Sequence, residues 1–357
     1  MSEHGGNILE MALKIGMDAG DIIDFSANIN PLGMPTSLKA AIVSQLERAE
    51  RYPDVEYREL HAALARVHGC DASNIIAGNG ATELIYAVAQ YLQPRRALLL
   101  TPGFAEYRRA LQRVGCVIDD YVMTEADGFQ PDERLLAALD NTQYDCLFIA
   151  TPNNPTGLMP DARLVLAIAE RCRKRNTALI VDEAFIDFIP DAPGLIPHLS
   201  TFSPLYVLRS LTKFFAIPGL RLGYLVSGDR QAVSAMKRAR EPWTINAFAA
   251  LAGEIILQDQ AYIDATRRWL TDAQRWLYRE LTAMPELRVW QPAANYIFLH
   301  CRRAEIDLQQ ALLQQQILIR SCANYPGLSA SDYRVAIKSA DDNRRLVAAL
   351  HQVFGHG

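Results

Sequence analysis

Along this chain, short apolar runs alternate with longer stretches whose apolar positions recur at helical spacing. The runs at 97–100, 117–122, 146–150, 178–181, 206–209 and 220–226 predict strands. Most are apolar on both faces, and helices are predicted between them: from a glycine-rich turn at 78 to 92, on to about 114, from 131, and over 161–174. Strands of this kind, separated by helices, predict an α/β fold around a mostly parallel sheet covered on both sides. Upstream, helices are predicted over 7–16, 36–50 and 57–68, with extended chain at 24–33 closing in a Pro and Gly turn. From about 246 a long helical region leads to strands at 287–290, 296–300, 317–320 and 333–337, which alternate with two helices. The change of pattern predicts an N-terminal segment at 1–35, a large domain at 36–240 and a smaller α+β domain at 241–357.

Composition narrows the classes. A length of 357 residues suits two domains, and 50% hydrophobic with 21% charged residues describes an ordinary globular chain. A net charge of −4 gives no electrostatic case for nucleic acid or an acidic membrane surface. Six cysteines without C-x-x-C spacing, several inside apolar runs, predict reduced thiols and a cytoplasmic protein. The start MSEHGGNILEMALKIG lacks the pattern of an export signal, and no apolar run reaches the length of about 18 residues that a membrane span needs. The histidines show no metal-ligand spacing, so no metal site is expected.

Chemistry concentrates in SLTKFFAIPGLRLGYLVS, residues 210–227. Lys213 comes just after the hydroxyl residues Ser210 and Thr212 and is followed by the apolar run Phe214, Phe215, Ala216, Ile217, which would desolvate its amine and favour the neutral nucleophile. Ser210 and Thr212 are candidate phosphate donors, and Arg221 would add positive charge to the same anion. The turn GNGATE runs straight into a helix whose first amides can bind phosphate. Ligands of open parallel sheets sit beyond the carboxyl ends of the strands, where Asn154, Asp182 and Lys213 fall. A carboxylate closing a buried strand needs a cationic partner, and a protonated pyridine nitrogen would serve. Each residue also has an ordinary reading: a surface lysine before a Pro-Gly turn, a helix-capping aspartate, an asparagine in the turn NNPTG.

Together these residues resemble the fold-type I pyridoxal-phosphate enzymes, in the branch of the aspartate and histidinol-phosphate aminotransferases, over essentially the whole chain. The resemblance implies a large domain with a mostly parallel seven-stranded sheet flanked by helices, plus a smaller α+β domain. It implies that Lys213 holds pyridoxal phosphate as a Schiff base, Asp182 pairs with the pyridinium, Asn154 faces the phenolic oxygen and Phe104 stacks on the ring. The phosphate would sit among Gly80, Ala81, Thr82, Ser210, Thr212 and Arg221, joined by Tyr52 from a neighbouring subunit, so a homodimer is implied. Arg334 matches the arginine that holds a substrate carboxylate.

Within the branch, HGGN at 4–7, DFSANINPLGMP at 24–35, TPGFAEY at 101–107, DEAFIDFIP at 182–190, LRSLTKF at 208–214 and ILIRSCANYPGL at 317–328 resemble the decarboxylases that act on O-phospho-threonine in cobalamin biosynthesis. Phe185 departs from the aminotransferase pattern, which places a tyrosine three residues after the aspartate, and phenylalanine cannot donate a hydrogen bond. A substrate with a carboxylate and a phosphate needs two anion sites. Arg320 and Arg334, on neighbouring predicted strands, can supply them, with His4 and Asn28 completing the phosphate cradle as the N-terminal segment closes. The competing readings are a histidinol-phosphate aminotransferase, the effector domain of a transcriptional regulator, and a dinucleotide enzyme; GNGATE lacks the glycine spacing for the last.

Overall fold

The computed structural model describes residues 5–192 and 194–355. Its largest sheet runs, edge to edge, Ile75–Asn79, Leu222–Ser227, Leu205–Ser210, Ala178–Asp182, Cys146–Ala150, Arg96–Thr101, Val117–Val122. Leu222–Ser227 is antiparallel to both neighbours, and every other pairing in this sheet is parallel. The four strands from Cys146–Ala150 to Leu222–Ser227 are buried at every position. Their residues divide alternately between two apolar layers, Leu179 and Val181 on one side, Ala178 and Ile180 on the other. Both faces are therefore covered, as the unbroken apolar runs predict. The edge strand Val117–Val122 is only half-buried and carries Asp119 and Asp120, which discourage pairing with another sheet.

The edge strand Ile75–Asn79 escaped the pattern reading. Its five residues, IIAGN, run directly into the helix Gly80–Leu92 and look like the approach to a glycine-rich turn. Gly80 has φ +75°, and a Cβ there would stand 2.5 Å from Arg221 Nη2, so only glycine lets the helix start this close to the guanidinium.

A second sheet, wholly antiparallel, runs Arg320–Ser321, Asp332–Ala336, Tyr296–Cys301, Leu287–Val289. The helices Gln260–Thr282 and Ala340–Phe354 pack together beside it. The stretch expected as one strand over 317–320 is divided. Ile317–Leu318 pairs in parallel with Ile23–Asp24, whereas Arg320–Ser321 joins Asp332–Ala336. Between them the Ile319 carbonyl accepts from Gln309 Nε2 at 2.6 Å, which takes it out of either ladder. The helix expected over 36–50 also breaks, into Thr36–Ser44 and a 3₁₀ turn Leu46–Glu50. Among the described residues no helix is long and apolar enough to cross a membrane.

Behind the carboxyl ends of the central strands lies a buried ion network. Arg209 Nε donates to Glu183 Oε2 at 2.7 Å and Nη1 to Asp187 Oδ1 at 3.0 Å, while the Leu195 amide donates to Glu183 Oε1 at 2.7 Å. Glu183 follows Asp182 and Arg209 precedes Ser210, so one ion pair ties together two strand ends whose adjacent residues face the candidate site. Arg209→Met would leave the fully buried Glu183 without its counter-charge. We expect a loss of about 3–5 kcal/mol in urea unfolding; a change below about 1 kcal/mol would contradict this role.

Candidate active site

Lys213 comes three residues after the end of the strand Leu205–Ser210. Its Nζ donates to Ser210 Oγ at 3.0 Å, and Ser210 Oγ is 2.9 Å from Thr212 Oγ1. The amine lies 5.6 Å from the centroid of the Phe185 ring. Burial pushes the Lys213 amine down to about 8, with the Arg221 and Arg334 charges acting in the same direction and Asp182 opposing them. A lysine in this condition is neutral far more often near neutral pH than an exposed lysine is, and so is the better nucleophile.

Asp182 ends the strand Ala178–Asp182 and is buried. Its Oδ2 accepts from Tyr107 Oη at 2.6 Å and its Oδ1 from the Ala184 amide at 2.9 Å. Desolvation raises its pKa, partly offset by the Tyr107 bond, the Ala184 amide and the Lys213 charge. Phe104 precedes the helix Ala105–Arg113, and its ring meets Tyr107 edge-on at 5.6 Å.

Several of the residues expected to take a phosphate lie at the start of the helix Gly80–Leu92. Gly80 and Ala81 are buried at that start, with Thr82 in the same turn. Arg221 has φ +62°, its carbonyl accepts from the Gly80 amide at 3.0 Å, and among the described residues its guanidinium bonds only the Pro218 carbonyl, at 3.3 Å. Among the described residues no carboxylate pairs with Arg221. Backbone amides, a helix start, two hydroxyls and an unneutralised guanidinium suit a phosphate.

On the other side stand two arginines that the structure makes direct cross-strand partners, Arg320 opposite Arg334. Opposed residues of an antiparallel pair project from the same face about 4.5–5.5 Å apart at Cβ. Both are buried, and like charges set opposite each other in a sheet repel. Arg334 donates from Nη1 to Asn154 Oδ1 at 2.5 Å and from Nη2 to the Ser26 carbonyl at 2.7 Å, neutral partners both. Arg320 donates to the Ser321 carbonyl and, at 2.7 Å, to Asn324 Oδ1, with its guanidinium 5.4 Å from the Tyr325 ring. A cleft of about 710 Å³ opens beside Arg320, Ser26 and Asn324 and reaches Asn7 of the N-terminal segment.

Asn28 is buried with an Oδ1 that accepts no hydrogen bond among the described residues, and its carbonyl accepts from Asn295 Nδ2 at 2.9 Å. His4 lies outside the described residues. Tyr52 is 80% exposed, its ring 4.5 Å from that of Trp243 on the surface. Sequence reasoning gave no role to Tyr107, Ser26 or Tyr296, whose Oη donates to the Asn153 carbonyl at 2.8 Å. Only Tyr107 left a signal: it lies three positions after Phe104, within the same helical turn.

The order of the seven-stranded sheet and the buried lysine beside an aspartate are features of one class of enzyme. Residues 20–350 match the family model for class I and II aminotransferases, and the chain belongs to that family. It is 56% identical over 353 residues to threonine-phosphate decarboxylase of Salmonella typhimurium, a match covering 99% of this chain and 97% of that one. It is 29% identical over 360 residues to the adenosylcobalamin biosynthesis bifunctional protein CobDQ of Leptospira interrogans, covering 99% of this chain and 41% of that protein. Among solved structures, the histidinol-phosphate aminotransferase from Clostridium acetobutylicum is similar with a TM-score of 0.87 and 30% identity, over 93% of this chain and 99% of that one.

Proposed function

We propose that this protein is a pyridoxal-phosphate-dependent carbon–carbon lyase that converts O-phospho-L-threonine to (R)-1-amino-2-propanol O-phosphate and CO₂ in cobalamin biosynthesis, the reaction of threonine-phosphate decarboxylase. The observation that carries the reading is the opposed pair Arg320 and Arg334, two buried cations suited to a substrate with two anionic groups. The 56% identity to the Salmonella enzyme supports it over the full length.

Pyridoxal phosphate, when bound to the substrate amine, supplies an electron-withdrawing ring that weakens the bonds at Cα. The residues present fit that group. Lys213 supplies an amine whose charged form is disfavoured, Asp182 a buried carboxylate for the ring nitrogen, and Phe104 an aromatic face. Asn154 offers its amide to the phenolic oxygen, while Gly80, Ala81, Thr82, Ser210, Thr212 and Arg221 take the phosphate. Arg334 would bind the substrate carboxylate and so fix the orientation of the groups on Cα, and Arg320, with Asn28 and His4, would bind the substrate phosphate. Phe185 keeps water from the amine, and Lys213 holds the proton that Cα receives after CO₂ leaves. A second copy of the chain contributes Tyr52 to the cofactor phosphate, which makes the working enzyme a homodimer; the exposure of Tyr52 beside Trp243 supports this. The six unpaired thiols support a reducing, cytoplasmic setting.

The test is to incubate the holoprotein with O-phospho-L-threonine, with and without 2-oxoglutarate. CO₂ release with aminopropanol phosphate as product is the expected result. Amino transfer to 2-oxoglutarate without CO₂ would move the function to the histidinol-phosphate aminotransferase side of the family.

A further inference from the structure

Tyr107 is 4% exposed and fixed on three sides. Its ring stacks on Phe148 with centroids 5.2 Å apart and planes at 24°, and it meets the Phe104 ring edge-on at 80°. Among the described residues its hydroxyl has one partner, Asp182 Oδ2, at 2.6 Å. The Ala184 amide takes Oδ1, so each carboxylate oxygen of Asp182 accepts one protein donor and keeps a lone pair free. Phe148 lies on the neighbouring strand Cys146–Ala150, whose register sets Ala150 beside Asp182. The orientation of the phenol is thus locked to the same sheet that carries the aspartate.

We propose that Tyr107 is a positioning residue that holds Asp182 ionised and aimed at the cofactor's ring nitrogen. The inference rests on the pyridoxal-phosphate reading above. Taking Asp182 out of water favours its neutral form, and a neutral acid cannot form an ion pair with a pyridinium. A charge-assisted hydrogen bond from a phenol reverses part of that penalty. Burial and the neighbouring carboxylate raise the Tyr107 pKa well above its ordinary value, so the phenol keeps its proton and remains a donor throughout the working range. The same short stretch, Phe104 to Tyr107, thereby presents one ring to the cofactor's face and one hydroxyl to the counter-ion of its nitrogen. Asp182 acts on the ring, and Tyr107 acts through Asp182.

Tyr107→Phe removes one oxygen and leaves the stacking ring in place. Three readouts are expected to move together. The affinity of cofactor-free protein for pyridoxal phosphate, from quenching of intrinsic fluorescence, should fall roughly tenfold, and kcat should fall by about the same factor while KM for O-phospho-L-threonine changes by less than about threefold. The pH at which the visible band of the bound cofactor changes should shift by about one unit. In an Asp182→Asn background the same substitution should add nothing to the loss of affinity. An unshifted absorbance titration with unchanged cofactor affinity would overturn the proposal, and so would an undiminished effect in the Asp182→Asn background. Failure of the wild-type protein to bind pyridoxal phosphate at all would instead overturn the cofactor reading, before any variant is compared.

Discussion

Lys213→Ala is expected to reduce CO₂ release from O-phospho-L-threonine by more than about 10⁴-fold, since it removes both the covalent tether and the group proposed to return a proton to Cα. Reduction of the wild-type holoprotein with borohydride should trap the cofactor on the Lys213 peptide, and no other peptide should carry it in the variant. The fold should not suffer. Burial places the amine near 8, below its ordinary value of 10.5, so the folded state disfavours the ammonium. Between those values the unfolded chain binds more protons at this residue than the folded chain does. The stability of cofactor-free wild-type protein therefore gains from this group as pH rises from about 8 towards 10.5, and loses that gain as pH falls. Lys213→Ala should abolish this contribution and be no less stable at pH 7. Equal pH dependence in the two proteins, measured by urea unfolding, would mean that the amine is not held in a desolvating site. Residual CO₂ release above about 1% of wild type would remove Lys213 from the chemistry.

The legibility of this site in the sequence follows from how local each signal is. Asp182 is legible because a carboxylate closing the buried run 178–181 is costly without a partner. Lys213 and Arg221 are legible because their spacing and the intervening apolar residues lie in one stretch. The strands at 146–150 and 178–182 are equally plain, since burial on both faces leaves no polar position to confuse the pattern. Ile75–Asn79 is not, because its glycine and asparagine belong at once to the strand and to the turn that starts the helix. The division at Ile319 depends on a side chain ten residues earlier taking its carbonyl, which no local propensity encodes. The lowered pKa of Lys213 depends first on its burial by the folded chain and in smaller part on Arg334, more than a hundred residues away, and the Tyr107–Asp182 bond on two separate crossovers of the sheet. A tyrosine on a helix reads as core until its hydroxyl's partner is known.

Arg320 and Arg334 illustrate the same limit and carry the second large prediction. Both fall on predicted strands, but only the register brings them opposite each other. Arg334→Gln should lower kcat/KM by roughly 30- to 4,000-fold, the range for removing one partner of a buried, hydrogen-bonded charge pair. Arg334→Lys should recover only part of this, because an ammonium cannot reproduce a planar two-point contact and also hold Asn154 and the Ser26 carbonyl. The two arginines are separated by the substrate they are tested on. If Arg334 takes the carboxylate, Arg334→Gln lowers kcat/KM equally for O-phospho-L-threonine and for L-threonine, which lacks the phosphate. Arg320→Gln should instead spare L-threonine and compress the preference for the phosphorylated substrate. The reverse pattern would exchange the two assignments while keeping the two-anion cradle. Changes below about twofold in both variants would defeat the cradle itself, since a buried charge pair lost at such a site cannot be that cheap.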